Sequence, residues 1–218
     1  MIARSQQAAP VLRHLTRLLL TLLAMVAVAT RPAMAQSILR DAETEALFRD
    51  MMDPLTVAAG LQPGQVRVHL LGDPSINAFV AGSQDVYVFA GLIEAADTAE
   101  EVQGVLAHEL GHIMGGHAIR INDGAKAATG ISILSLLLGA AAIAAGGGEA
   151  GMGIMMAGQQ AALGKFLAFS RVQESTADAA GAQYLSAAGI SGRGSLAFFK
   201  KLQNLEFRYA VKQDDDQA

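Results

Sequence analysis

Three histidines fall within ten residues in "HELGHIMGGH", residues 108–117. His108 and His112 are four apart, so on a helix they project from one face about 40° apart. Two imidazoles so placed can bind one Zn2+, leaving room for a third protein ligand and a water. Glu109 points about 100° away from His108. From there a carboxylate reaches the metal's water without occupying the metal, as a general base must. The flanking Val105, Leu106, Ala107, Leu110 and Ile113 are apolar. Burying two imidazoles and a carboxylate among them is costly unless something pairs with them.

The third ligand is reached by elimination. Beyond residue 35 the histidines are His69, His108, His112 and His117, and the chain has no cysteine. His117 lies about 140° around the helix from His112, on the far side, and shares its metal only if the helix breaks at Gly115–Gly116. A structural hydrogen bond is therefore the expectation for His117, and a carboxylate the expectation for the third ligand. Glu174 falls in a series, Leu163, Leu167, Ser170, Ala177, Gly181 and Leu185, with the 3–4 spacing of a buried helix face. Asp178 follows one turn later. Two acids on an inward face need a cation or hydrogen-bond partners. Zinc satisfies Glu174, and Asp178 can accept from the free ring nitrogen of a ligating histidine. The plainer alternative is a surface ion pair between Glu174 and Arg171.

The elements that must position these residues follow from periodicity and caps. Residues 37–59 show helical spacing through Ile38, Ala42, Leu47 and Met51. "QVRVHLL", "SINAFVAG" and "DVYVFAG" are three short β-prone runs, which predict a small antiparallel sheet. Thr98, three residues ahead of Glu101, is a capping-box pair that opens a helix over about 99–120. Residues 129–158, "TGISILSLLLGAAAIAAGGGEAGMGIMMAG", carry one charge and are broken by Gly146–Gly148. They read as a core hairpin of two short helices, with contact to a bilayer surface or an apolar partner as the alternative. A last long helix spans about 159–188 and stops at Gly189. The fold class expected is α+β, mainly helical, with the metal helix against a small sheet.

The N-terminus has a different grammar. Arg4, Arg13 and Arg17 precede an apolar run from Leu18 to Ala29, then Ala33-Met34-Ala35 stands before Gln36. This is the order of a secretory signal peptide cut after Ala35. A retained anchor helix is the alternative, although 12 apolar residues fall short of the ~20 a span needs. The division expected is a signal peptide over 1–35, one domain over 36–210 and an acidic tail over 211–218. Setting residues 1–35 aside removes four arginines and no acid, leaving 12 basic and 20 acidic residues, a net charge of −8. Such a chain, with no basic stripe, is a poor nucleic-acid binder. Export points to a periplasmic location.

"HELGH" followed by "GGH", with "RVQESTAD" about 60 residues later, resembles the M48 zinc metallopeptidases, in particular their periplasmic branch. The likeness covers about residues 40–205 and includes "INAFVAGSQDVYVFAGLIEAA" ahead of the metal helix. The resemblance implies one zinc on His108, His112 and Glu174, Glu109 as catalytic base and Asp178 as support behind a ligand. It implies an endopeptidase with substrate extended along a strand edge near Asn77, Ala78 and Phe79, which main-chain pairing makes physically reasonable. It also implies misfolded or stalled exported and outer-membrane proteins as substrates, and contact with a membrane or the outer-membrane assembly machinery. Longer members continue into a histidine that caps the zinc and a helical-repeat domain, for which no counterpart is expected here. Tyr184 and Arg171 are weak options for steadying an oxyanion. Two other functions compete: a non-proteolytic chaperone or assembly factor, and a membrane-associated protease anchored through 129–158.

Overall fold

The computed structural model of the chain describes residues 38–215, with side chains to residue 205. The signal peptide expected over 1–35 lies outside the described residues. A first short strand, β1 (Ile38–Leu39), leads into helix α1 (Ala42–Ala58). The Asp41 carboxylate caps α1 by accepting from the Thr44 amide at 2.9 Å. Its buried face is Phe48, Met52 and Leu55, while Leu47 is exposed. The inward stripe thus runs one position later than the Leu47/Met51 spacing suggested, and Ile38 belongs to a strand.

The sheet comprises β1, β2 (Arg67–Leu71), β3 (Ala78–Ala81) and β4 (Asp85–Phe89) in the order β1-β2-β4-β3. The three runs expected as strands are strands, but the sheet is mixed: β2 and β4 are parallel, in register from Arg67 with Asp85 to Leu71 with Phe89. Residues 72–77 carry the chain past the β4 position to the far edge. β3 then turns back through Gly82 (φ +71°) and pairs antiparallel with β4. β4 therefore lies between its two neighbours with Val86 and Val88 fully buried, and among the described residues β3 keeps a free edge.

A short helix α2 (Ala90–Ala95) precedes α3 (Ala99–Met114). Thr98 caps α3, its hydroxyl accepting from the Glu101 amide at 3.3 Å. Glu101 reaches back to the Asp97 amide at 3.0 Å, one residue earlier than a standard capping box. The helix ends at Met114, about six residues short of the expected 120, because Gly116 takes φ +63° and turns the chain.

Two long helices follow, α4 (His117–Ala144) and α5 (Gly148–Ala187). They form the hairpin expected over 129–158, but each is long. The second arm runs without interruption into the helix expected over 159–188, making 40 residues in all. Nor is the hairpin part of the core, since Leu134, Leu137 and Leu138 are more than half exposed. Gly189 (φ +72°) ends α5 as expected. A further helix, α6 (Arg193–Asp215), follows where no element was expected and runs into the acidic tail. The core gathers α1, β4, α3, α5 and α6 through Met52, Val88, Leu106, Leu110, Leu185 and Phe198. Lys201 ties α6 to the start of α3, bonding the Glu101 and Asp97 carboxylates at 2.8 Å each and the Ala95 carbonyl at 2.7 Å. The fold is mainly helical with a small sheet, as the sequence implies.

Candidate active site

α3 brings His108 and His112 to one face, and α5 crosses it closely enough to deliver Glu174. The crossing depends on small residues. A methyl group at Gly111 would lie 2.5 Å from the Ala177 carbonyl oxygen, and one at Gly181 would lie 3.0 Å from the Ala107 carbonyl. Backbone therefore meets backbone twice along the seam, leaving no room for side chains between the helices.

At the open end of this seam the Nε2 atoms of His108 and His112 are 3.0 Å apart. Glu174 Oε2 lies 3.4 Å from the first and 3.6 Å from the second. These distances test the fit of a metal directly. Four ligands at zinc's ~2.05 Å bond length stand about 3.3 Å from one another. The observed triangle has that size, and two imidazoles with a carboxylate are a donor set that suits zinc. Among the described residues these three are the group able to hold a metal ion. Glu174 makes no ion pair with Arg171 among the described residues; its partners are the two imidazoles. Its side chain is half exposed, as is that of Asp178, so both acids face an open cleft and not a closed interior.

The outer nitrogen of each histidine is held too. His108 Nδ1 donates to Asp178 Oδ1 at 2.8 Å, which leaves the Nε2 lone pair directed at the cluster. His112 Nδ1 lies 2.9 Å from His117 Nδ1. His117 Nε2 lies 3.2 Å from the Thr176 hydroxyl, which donates to the Gln173 carbonyl at 2.8 Å. One proton per link satisfies this series: His112 donates to His117, His117 to Thr176, and Thr176 to the backbone. His117 makes the structural hydrogen bond expected of it, but not on the far side. The left-handed turn at Gly116 swings it back behind His112. Burial, reinforced by the His108 imidazole, pushes His112 below the usual histidine range, so its ring stays neutral with a lone pair free.

Glu109 is 7% exposed. Burial pushes its carboxyl up to about 7, the Glu174 charge adds to the rise, and His108 opposes it. A carboxyl tuned near neutrality can take up and release a proton at ordinary pH. Asn77 is exposed, and its carbonyl accepts from the Phe89 amide at 3.0 Å. Ala78 and Phe79 lie on β3, the free edge of the sheet. Tyr184 packs against the hydrophobic core.

Beside His108 opens a cleft of roughly 600 Å³, lined by Glu174, Asp178, Leu185, Leu196 and Phe199. The Phe199 ring meets the His108 ring edge-on at 5.7 Å. Sequence reasoning did not place this wall, nor Thr176, nor the role of Gly111. A signal existed for the last: glycine inside a helix costs about 1 kcal/mol against alanine, so it marks a close approach.

Residues 38–209 match peptidase family M48. Metalloprotease LoiP of Escherichia coli is 33% identical over 148 residues, 66% of this chain and 54% of that protein. The beta-barrel assembly-enhancing protease of Yersinia pestis is 30% identical over 148 residues, 66% of this chain and 29% of that protein. The mitochondrial metalloendopeptidase OMA1 of Bos taurus is 28% identical over 144 residues, 64% of this chain and 26% of that protein. The chain thus spans about half or less of the length of these relatives.

Proposed function

The chain belongs to peptidase family M48, and from that premise we propose that it is a zinc-dependent endopeptidase whose metal is held by His108, His112 and Glu174. The observation that carries this reading is the triangle of 3.0, 3.4 and 3.6 Å with the buried Glu109 on the same turn of helix. Zinc, when bound, supplies a Lewis acid that polarises a peptide carbonyl and acidifies water.

The chain's own residues do the rest. Glu109 takes the proton of the attacking water at its carboxylate and returns it to the departing amide nitrogen. Asp178 fixes the His108 ring by accepting its Nδ1 proton, and His117 does the same for His112 by accepting at Nδ1. The free edge of β3, beside Asn77, Ala78 and Phe79, aligns an extended peptide through its main chain, with the main chain of Ala78 facing outward because the Asn77 carbonyl is bonded to Phe89. Leu196 and Phe199 offer an apolar wall for one side chain of that peptide. Strand pairing reads little sequence, so the substrates are unfolded or misfolded polypeptides.

The signal-peptide grammar of residues 1–35 supports action in the periplasm. The assembly-enhancing activity named in the Yersinia pestis relative supports stalled envelope proteins as clients. Metal analysis and Glu109→Gln test the reading together. The wild type is expected to carry one zinc and cleave unfolded casein, and the variant to carry zinc but lose activity by on the order of 10²–10⁴. A metal-free wild type that only suppresses aggregation refutes it.

A further inference from the structure

The hairpin of α4 and α5 is more apolar than a surface-exposed element of a water-soluble domain should be. We infer that its arms, from about residue 127 to 164, insert into a lipid bilayer as a helical hairpin with its apex at Gly146–Gly148. Between Lys126 and Lys165 the sole charged residue is Glu149, next to that apex. α4 has a mean hydropathy of 2.0 over its most apolar 18 residues, of which only 11% are buried.

The distribution of that apolar surface identifies its occupant. Ile133, Leu134, Leu136, Leu137 and Leu138 are 47–64% exposed, and at 100° per residue they surround the helix except at Ser135. Ser135 is buried where α5 passes. A protein partner docking in a groove needs one apolar face, whereas lipid requires all the azimuths the partner helix leaves open. α5 repeats the pattern with Met152, Ile154, Met156 and Leu163 exposed.

The serines of the first arm find their hydrogen-bond partners within the hairpin, as hydrocarbon demands. The Ser135 hydroxyl donates to the Ser132 carbonyl at 2.8 Å, and Ser132 bonds Gln159 across the seam at 3.3 Å. The seam is made of small residues: a methyl at Gly139 would lie 2.7 Å from the Gly151 carbonyl, and Gly158 faces Ser135. Close backbone approach of this kind is how helices associate in lipid, where burial supplies no drive.

The dimensions agree. Residues 127–144 rise about 27 Å as α-helix, close to the ~30 Å hydrocarbon core, which places Glu149 in the far headgroup layer. Lys126, Lys165 and Arg171 stand at the near end, where anionic headgroups favour them. His117, which backs His112, is ten residues from the start of the insertion, so the histidine cluster stands roughly 15 Å above it. One consequence rests on the endopeptidase reading: the cleft takes extended segments lying close to the membrane, such as loops of incompletely assembled membrane proteins.

The chain lacks cysteine, so single-cysteine variants of the full chain report depth cleanly. Leu137→Cys, Glu149→Cys and Glu43→Cys, the last on exposed α1, are labelled with an environment-sensitive fluorophore. They are mixed with phosphatidylethanolamine/phosphatidylglycerol vesicles carrying quenchers in the headgroup or at mid-chain. The probe at 137 is expected to be quenched at least threefold better from mid-chain, that at 149 better from the headgroup, and that at 43 by neither. A probe at 137 that stays in water, or is quenched best from the headgroup, overturns insertion. So does protection of 137 that appears without vesicles and rises with protein concentration, which would make the hairpin a contact between copies. None of these readouts involves hydrolysis, so a failed protease reading would not be mistaken for a failed insertion.

Discussion

Replacing Gly111 by alanine tests whether the α3–α5 crossing is what assembles the metal site. The added methyl would lie 2.5 Å from the Ala177 carbonyl oxygen and 2.8 Å from its Cα. A carbon normally keeps about 3.3 Å or more from a carbonyl oxygen, so the helices must part locally by roughly 0.8 Å. Glu174 is one turn from Ala177 on α5, and His108 and His112 flank Gly111 on α3. Metal ligands tolerate errors of about 0.2 Å. The carboxylate is therefore carried well outside tolerance, and zinc affinity should fall at least tenfold. Overpacking costs about 1–3 kcal/mol, but alanine recovers about 1 kcal/mol of helix propensity, so the metal-free protein should lose no more than about 2 kcal/mol. At this size that lowers Tm by under about 8 °C. The assay is competitive zinc titration against a chelator, with thermal denaturation of the metal-free protein beside it. Gly164→Ala, with no atom within 4 Å of the new methyl, is the control that should keep affinity unchanged. Wild-type zinc affinity in Gly111→Ala would refute the claim that this contact sets the ligand geometry.

Three further outcomes are expected. In metal-free protein the folded chain holds the Glu109 proton up to pH about 7, while the unfolded chain releases it near 4.5. The native state binds the extra proton in that window, so stability falls as pH rises through it, by about 3 kcal/mol in total. Glu109→Gln should accordingly be the more stable form above pH 7 and show no advantage below pH 4.5, measured by urea unfolding at both pH values. His117→Ala should weaken zinc binding about 10–100-fold, with partial recovery in His117→Asn, whose side-chain oxygen can accept from His112 Nδ1. Equal affinities in wild type and alanine variant would show that the His112–His117 bond does not orient the ligand. Lys201→Met removes the cation that bonds the buried Glu101 carboxylate, so Tm should drop without change in zinc affinity, and an unchanged Tm would show that this tie between α6 and α3 is dispensable.

What was legible in the sequence was the chemistry that helix geometry makes local. His108, Glu109 and His112 lie within five residues, and one helical turn determines their relation whatever the rest of the chain does. Glu174 was reachable because Ala177, Gly181 and Leu185 keep the buried spacing, although Leu163 and Leu167 in the same series are exposed. They belong to the hairpin, where apolar periodicity no longer reports a protein interior. Strand direction was not legible, since alternation in "QVRVHLL" and "DVYVFAG" is the same whether β2 and β4 run parallel or opposed. The union of the second hairpin arm with the last helix was hidden for a related reason: no proline or cap near residue 158 marks a stop, and the glycines at 146–148 mark only the apex. His117 shows the limit most clearly. Its angle on an ideal helix puts it far from His112, yet one left-handed residue at Gly116 reverses that. The long-range geometry of the site is thus written in its glycines. Gly111 and Gly181 set how near Glu174 comes, and Gly116 sets which way His117 turns. Residues with no functional group of their own decide which functional groups meet.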